Sequence, residues 1–249
     1  MLPLHALVMC LDMLKSVISV LYPPACLLCQ RWIAMSSELF CELCRRSMDP
    51  LLPPVCQQCG VGLSGAYDAQ SVCRRCQEQP PAFAQARAPF VYRGRVREAI
   101  HAFKYRGRHR IGLWLADKMV RTAETELPLS RISRILAVPM HWTRQRLKGD
   151  NPAAFLACAV AKTLQFPCQL DIVRRTRWTR SQTRLTLSQR VRNVAGAFEV
   201  RRPPAGDEAV LLIDDVLTSG ATVNACAQVL RTAGVKEIFV LTAACTPPG

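Results

Sequence analysis

Two adjacent carboxylates, Asp214 and Asp215, close the apolar run Val210, Leu211, Leu212 and Ile213, and a short loop containing Thr218, Ser219, Gly220, Ala221 and Thr222 follows. The apolar run has the length of a strand, and a helix pattern begins near Thr222 and closes at Gly234. Strand, loop and helix in that order place the acids at a strand's carboxyl end, where open α/β sheets bind their ligands. The loop has the parts of an anion site. Thr218, Ser219 and Thr222 offer hydroxyls, Gly220 lets the backbone approach a ligand closely, and a new helix brings unpaired N–H groups and a favourable dipole. Carboxylates that accept from sugar hydroxyls, beside amides that donate to a phosphate, describe a site for a ribose 5-phosphate. Two plainer readings stay open from these residues alone: an acid pair that caps its own loop, and a pocket for a divalent metal. The chain has no G-x-x-x-x-G-K-[ST], and no G-x-G-x-x-G opens a helix after a strand, so the other common phosphate loops fit worse.

At these residues the chain resembles the type I phosphoribosyltransferases. Their signature for phosphoribosyl pyrophosphate (PRPP) is an apolar run, paired acids and a Thr/Ser-Gly-x-Thr loop. The resemblance implies that Asp214 and Asp215 hold the ribose 2′- and 3′-hydroxyls and act as the catalytic pair by stabilising positive charge at the ring. It also implies that residues 218–222 cradle the 5-phosphate, with Mg2+ accompanying PRPP.

Two basic segments precede the acids. The first, residues 138–151, carries Arg144, Arg146 and Lys148; it follows a predicted strand and so shares the rim on which Asp214 sits. The second, residues 174–193, carries Arg184 and Arg192 among other arginines. A magnesium-bound diphosphate keeps residual negative charge, and charge-assisted contacts from Arg and Lys hold it well. Any one of these arginines reads equally as a solvated surface residue, so the clustering carries the expectation. The chain stops soon after its last predicted strand, so a cover for the site falls to residues 90–124, with Lys104 or Tyr105 contributing.

A second chemistry sits near the other end. Cys26 and Cys29, Cys41 and Cys44, Cys56 and Cys59, and Cys73 and Cys76 form four C-x-x-C knuckles. Two thiolates spaced by two residues occupy adjacent corners of a tetrahedron, and two knuckles complete a closed structural zinc site, so the set predicts two zinc ions. One metal with leftover cysteines is the alternative. A disulfide framework would need an oxidising compartment, and a redox C-x-x-C would not recur four times. Pro50, Pro53 and Pro54 break the segment in the middle and favour sequential pairing, with Cys26, Cys29, Cys41 and Cys44 on one ion and Cys56, Cys59, Cys73 and Cys76 on the other. Cys10, Cys158, Cys168, Cys226 and Cys245 lie in apolar sequence and are expected in the core.

The elements that must position these groups follow from length and periodicity. The 249 residues, 50% hydrophobic, suffice for one α/β core and a small appended module. Residues 92–107 read as a turn and a short basic helix, and residues 111–124 as a second helix. Strands at 135–138, 170–173, 210–213 and 238–243 alternate with helices at 153–164 and 223–233, which predicts a parallel sheet with helices on both faces. The predicted organisation is an extension with a short helix at 1–22, a zinc module at 23–80, a linker and hood-like helical segment at 81–130, and the phosphoribosyltransferase-like domain at 131–249. Met13 has the look of an alternative start, which would make residues 1–12 an extension. A net charge of +15 suits phosphate or nucleic-acid ligands, although the general excess of arginine over lysine fits GC-rich coding as well. Asp12 and Lys15 interrupt the apolar start, so neither a membrane span nor a signal peptide is predicted, and a cytoplasmic location is expected.

The order of motifs carries the resemblance further. Cysteine knuckles are followed by Y-x-G-x-V-R-x-x-I-x-x-F-K-Y-x-G from Tyr92, V-P-x-H from Val138, R-x-T-x-x-Q-x-x-L-S-x-x-x-R-x-x-N ending at Asn193, and then the PRPP signature. This order is similar to the ComF/GntX family over nearly the whole chain from Met13. It departs from the family at Gly149-Asp150-Asn151-Pro152, where the family reads G-F-N-Q. The resemblance implies a bacterial cytoplasmic protein of natural competence and use of external DNA, a phosphoribosyltransferase fold behind a zinc module, and single-stranded DNA and DNA-uptake proteins as partners. Three functions stay open: a binder of PRPP or ribose 5-phosphate in DNA uptake, an active transferase of nucleobase salvage, and a zinc-containing nucleic-acid module without catalysis.

Overall fold

A computed structural model of the chain describes residues 24–33, 38–65, 71–141, 151–177, 187–202 and 209–247. It divides into two compact units, Met1–Met48 and Asp49–Gly249.

Within the first unit, Ala25 and Trp32 pair across a knuckle closed by the Gln30 N–H on the Cys26 carbonyl, 2.9 Å. Cys41 then caps the short helix α1 (Glu42–Arg46). The second unit opens with the same device 30 residues on. Val55 pairs with Gly62, the Gly60 N–H bonds the Cys56 carbonyl at 2.9 Å, and Cys73 caps α2 (Arg74–Glu78). Gln30 and Gly60 hold the same left-handed turn, at φ 60° and 68°. Each knuckle thus presents its cysteines from a tight turn and a helix start, the local geometry that a C-x-x-C spacing requires.

The rest of the second unit is built on a parallel sheet. Its strands are β1 (Gln85–Arg87), β2 (Phe90–Val91), β3 (Ile132–Ala137), β4 (Cys168–Gln169), β7 (Ala209–Leu217) and β8 (Glu237–Cys245), in the order β1-β8-β7-β3-β4, with β2 also pairing on β8. All of these pairings are parallel. The first five residues of β7 and the last eight of β8 are buried, because a parallel strand covered on both faces reads as a continuous apolar run.

The helices are α3 (Gly94–Arg106), α4 (His109–Glu126), α5 (Pro152–Leu164), α6 (Leu187–Val194) and α7 (Ala221–Thr232). The chain leaves β3 through α5 to reach β4 on one side and leaves β7 through α7 to reach β8 on the other. Right-handed crossovers that run in opposite directions put α5 and α7 on opposite faces. The expected parallel sheet with flanking helices is therefore present. The point where the chain's direction of travel reverses falls between neighbouring β3 and β7. Phe103 of α3 and Phe155 of α5 meet at a ring distance of 5.3 Å and fix α3 over this end of the sheet.

Two expectations need correction. In place of one strand at 170–173, the chain makes two residues of β4 and then turns away. Leu170 is exposed, and β5 (Val173–Arg175) pairs antiparallel with β6 (Phe198–Val200) in a separate two-stranded ribbon. Cys226 and Cys245 are core residues as expected, but Cys158 lies on an exposed face of α5 and Cys168 is only half-buried. Cys10 and the predicted helix before residue 23 lie outside the described residues.

Candidate functional site

The carboxyl ends of β3 and β7 border a cleft of ≈ 440 Å³. Val138, Pro139 and Met140 approach it from β3, residues 214–218 and 220–222 from β7 and the loop after it, and Tyr92, Lys104, Tyr105, Arg175 and Thr246 add to the wall. This is the topological switch point at which open α/β sheets hold ligands.

β7 continues past the acids. Asp214 pairs with Thr242, and Val216 and Leu217 pair with Ala244 and Cys245, so both carboxylates project from strand backbone held in register. Asp214 and Asp215 are each half-buried. The Asp215 N–H donates to Asp214 Oδ1 at 2.8 Å. Lys104 Nζ, reaching down from α3, lies 2.6 Å from Asp215 Oδ2. Burial and the neighbouring Asp215 charge push Asp214 up to about 7, against the opposing pull of the Asp215 N–H, Lys104 and Arg175. Burial alone would lower Lys104, but the Asp215 carboxylate outweighs it and holds the ammonium above its ordinary range. Between two carboxylates at such close quarters the more enclosed one, Asp214, holds its proton more readily.

The loop behind the acids is shaped for donation. Gly220 takes φ 72° and caps α7, a left-handed conformation that L side chains rarely adopt. Three consecutive carbonyls are tied back: Leu217 O accepts from Thr246 N at 3.0 Å, Thr218 O from Thr246 Oγ1 at 3.3 Å, and Ser219 O from Arg75 Nη1 at 3.2 Å. The start of α7 thus borders the cleft beside three held carbonyls, where a helix N-terminus favours an anion. Thr218, Gly220, Ala221 and Thr222 line the cleft; Ser219 is not in its wall, and its hydroxyl sits 3.4 Å from the Ala221 N–H.

The basic candidates divide. Lys104 is in the cleft. Arg192 is exposed on α6 and is not among the described residues of the wall, and Arg144, Arg146, Lys148 and Arg184 lie outside the described residues. Asn151, in the segment that departs from the family pattern, holds the start of α5 in place. Its Oδ1 accepts from Ala153 N at 3.1 Å, its Nδ2 donates to Val138 O at 3.0 Å, and Pro152 takes the first position of the helix. Sequence reasoning held Arg175, which ends β5 and faces Asp214, only as one member of the basic segment 174–193, and it did not single out Tyr92 or His101; Tyr105, expected in the cover, lines the cleft and meets His101 edge-on at 5.4 Å. A basic residue at a strand end was the available signal for Arg175.

The cysteines gather as two quartets, Cys26, Cys29, Cys41 and Cys44, and Cys56, Cys59, Cys73 and Cys76, with the sulfurs of each within 4.8 Å of one another. This is the sequential pairing. Four thiolates on a zinc at about 2.3 Å stand roughly 3.8 Å apart at the corners of a tetrahedron. The Cys29–Cys41 and Cys59–Cys73 sulfur distances are 3.6 and 3.7 Å. In the second quartet the N–H groups of Cys59 and Cys73 also point at Cys56 Sγ, at 3.4 and 3.3 Å, as they would at a thiolate. The residues fit structural zinc, and all four corners of each site are protein sulfurs.

Comparison with known proteins agrees. Residues 17–77 match the double zinc ribbon domain family. The chain is 30% identical over 227 residues to the DNA utilization protein YhgH of Shigella flexneri, spanning 88% of this chain and 95% of that one. It is 30% identical over 220 residues to competence protein F of Haemophilus influenzae (86% and 94%), and 24% identical over 229 residues to competence protein ComFC of Bacillus subtilis (84% and 89%). Among solved structures it is similar to a purine phosphoribosyltransferase from Pyrococcus horikoshii, at TM-score 0.31 and 15% identity over 53% of this chain and 71% of that one. It is also similar to a hypoxanthine phosphoribosyltransferase from Staphylococcus aureus, at TM-score 0.33 and 13% identity over 52% and 62%. No helix among the described residues is long and apolar enough to cross a membrane.

Proposed function

Because the chain belongs to the ComF/GntX family, we propose that it is a cytoplasmic, competence-related protein that binds PRPP or ribose 5-phosphate in the cleft between β3 and β7 while handling external DNA. One observation carries this reading: the acid pair and the amide-donating loop border a single cleft at the switch point of the sheet. Asp214 and Asp215 accept from the pentose 2′- and 3′-hydroxyls. The amides and hydroxyls of Thr218, Gly220, Ala221 and Thr222 receive the 5-phosphate. Lys104 pairs with Asp215 and, with Arg175, supplies positive charge for a magnesium-bound diphosphate, joined by Arg144, Arg146, Lys148, Arg184 or Arg192.

Calorimetric titration with Mg2+ and PRPP tests it. Wild-type protein binds, and an Asp214→Asn/Asp215→Asn double variant loses more than about 100-fold in affinity, since each lost charge-assisted bond costs roughly 1.5–3 kcal/mol. Equal affinity in the two proteins removes the acids from the site.

The DNA-directed part draws on the names of the relatives and on the surface beside the cleft. Tyr105, Arg106, Arg108 and Arg110 are exposed together where α3 passes into α4, an aromatic ring among cations of the kind that single strands stack and pair on. Single-stranded DNA binding is expected to weaken steeply with salt, and a flat response argues against phosphate contacts.

A second reading, an active transferase, is favoured by Tyr92, His101 and Tyr105, which give a nucleobase rings to stack on at the cleft. Pyrophosphate release across a panel of bases detects it, and no release with any base leaves the binding role.

A further inference from the structure

Arg75 stands between two ligands of the second cysteine quartet, Cys73 and Cys76, on the short helix α2. Its half-buried guanidinium looks two ways. On one side it faces the sulfurs of Cys59, Cys73 and Cys76. On the other, Nη1 donates to the carbonyl of Ser219, 144 residues away in sequence, at 3.2 Å. We propose that Arg75 is a positioning residue that sets the orientation of the phosphate loop and makes that orientation depend on zinc in the second ribbon.

The planarity of one peptide links the two ends. A trans peptide carries its C=O and N–H in opposite directions. A Ser219 carbonyl held from the ribbon side therefore sends the Gly220 N–H away from the ribbon, and Gly220 is in the wall of the cleft while Ser219 is not. Gly220 at φ 72° has few side-chain constraints of its own. An external hold on the preceding carbonyl is what selects one peptide orientation. The next attachment is consistent: Ala82 N, just beyond the ribbon, donates to Asn224 Oδ1 in the first turn of α7 at 2.7 Å.

Zinc enters through charge. Four thiolates around one Zn2+ leave a net anionic centre, and a guanidinium beside it is held as a counter-ion. Without zinc the ribbon loses its cross-link. Arg75 then loses its platform, and the Ser219 carbonyl its hold. The proposal rests on the reading of residues 218–222 as a phosphate site.

The test uses the zinc-loaded full chain and two readouts. Calorimetry with Mg2+ and PRPP reports the ligand, and hydrogen exchange of the ligand-free protein reports the Asn224 amide, which bonds Gly220 O at 2.8 Å and opens when the start of α7 loosens. Zinc content is measured alongside. Arg75→Gln is expected to retain two zinc ions, bind about tenfold more weakly and exchange faster at Asn224. Arg75→Lys, which keeps the cation, recovers most of both. Wild-type affinity and exchange in Arg75→Gln overturn the proposal, as does a loss of zinc that accompanies both defects and persists in Arg75→Lys. If the wild-type protein binds no PRPP, the phosphate reading fails, and exchange decides Arg75 by itself: faster opening with zinc retained supports the hold on Ser219, and unchanged opening refutes it.

Discussion

The two cysteine quartets share one local design and put it to different uses. In both, a left-handed residue closes the first knuckle and a cysteine caps a short helix in the second. Among the described residues of the first unit, the buried apolar side chains besides the cysteines are Ile33, Phe40 and Met48. The second quartet is built into the sheet. Gln58 O accepts from Ala86 N of β1 at 2.7 Å, and the buried Arg87 guanidinium donates to Gln57 O at 3.1 Å while pairing with Glu126 of α4 at 2.9 Å. Repetition of a metal motif therefore does not imply repetition of its role; the surroundings decide whether zinc folds a module or also props a core.

The largest test of that contrast removes ligands. Cys56→Ser/Cys59→Ser is expected to abolish the cooperative melting of the unit that carries the sheet, because a structural zinc supplies about 10–16 kcal/mol of folding free energy. Cys26→Ser/Cys29→Ser is expected to lose one zinc and leave that transition within a few degrees. Zinc content and thermal melts of the two variants measure both, and equal losses would erase the distinction.

A sharper version compares the two matching turn residues. A Cβ on Gly60 would stand 2.4 Å from the Ala86 carbonyl oxygen at φ 68°. Gly60→Ala is expected to cost about 2–4 kcal/mol through the clash and the left-handed strain. Gln30 already carries a side chain in that conformation, so Gln30→Gly is expected to change stability by about 1 kcal/mol or less. Denaturant melts give both numbers.

The cleft supplies two finer measures, since it opposes the fold where the second ribbon supports it. Lys104→Met is expected to weaken Mg2+–PRPP binding about tenfold, which titration reads. Asp214 has the opposite sign to a stabilising ion pair. Its pKa is pushed from 3.8 up to about 7, so between those values the unfolded chain has ionised while the folded one holds its proton. Stability from this group falls as pH rises through that window and is level above it. Asp214→Asn is therefore expected to melt higher than the wild type at pH 8, by about a few degrees, with the gap closing toward pH 4. A gap independent of pH would contradict the shift.

What the sequence disclosed follows from these same contrasts. The run from Val210 to Ile213 announced a strand because both of its faces are buried, and the four cysteine pairs announced zinc because ligand spacing is local. The helix after the acids was visible from near Thr222 to Gly234 for the same reason. Hidden were features that depend on partners far along the chain: the extension of β7 through Leu217, fixed by pairing with β8; the β5–β6 ribbon; and the arginines Arg75 and Arg175 at the loop and the acids. Cys158 misled because an apolar helix sequence does not say which of its faces meets solvent.

The most direct measurement is an experimental structure of the zinc-loaded protein with Mg2+ and PRPP. Pentose hydroxyls are expected within hydrogen-bond distance of Asp214 and Asp215, and the 5-phosphate against the amides that open α7. A ligand bound elsewhere, or one with its sugar turned away from the two acids, would contradict the proposed site.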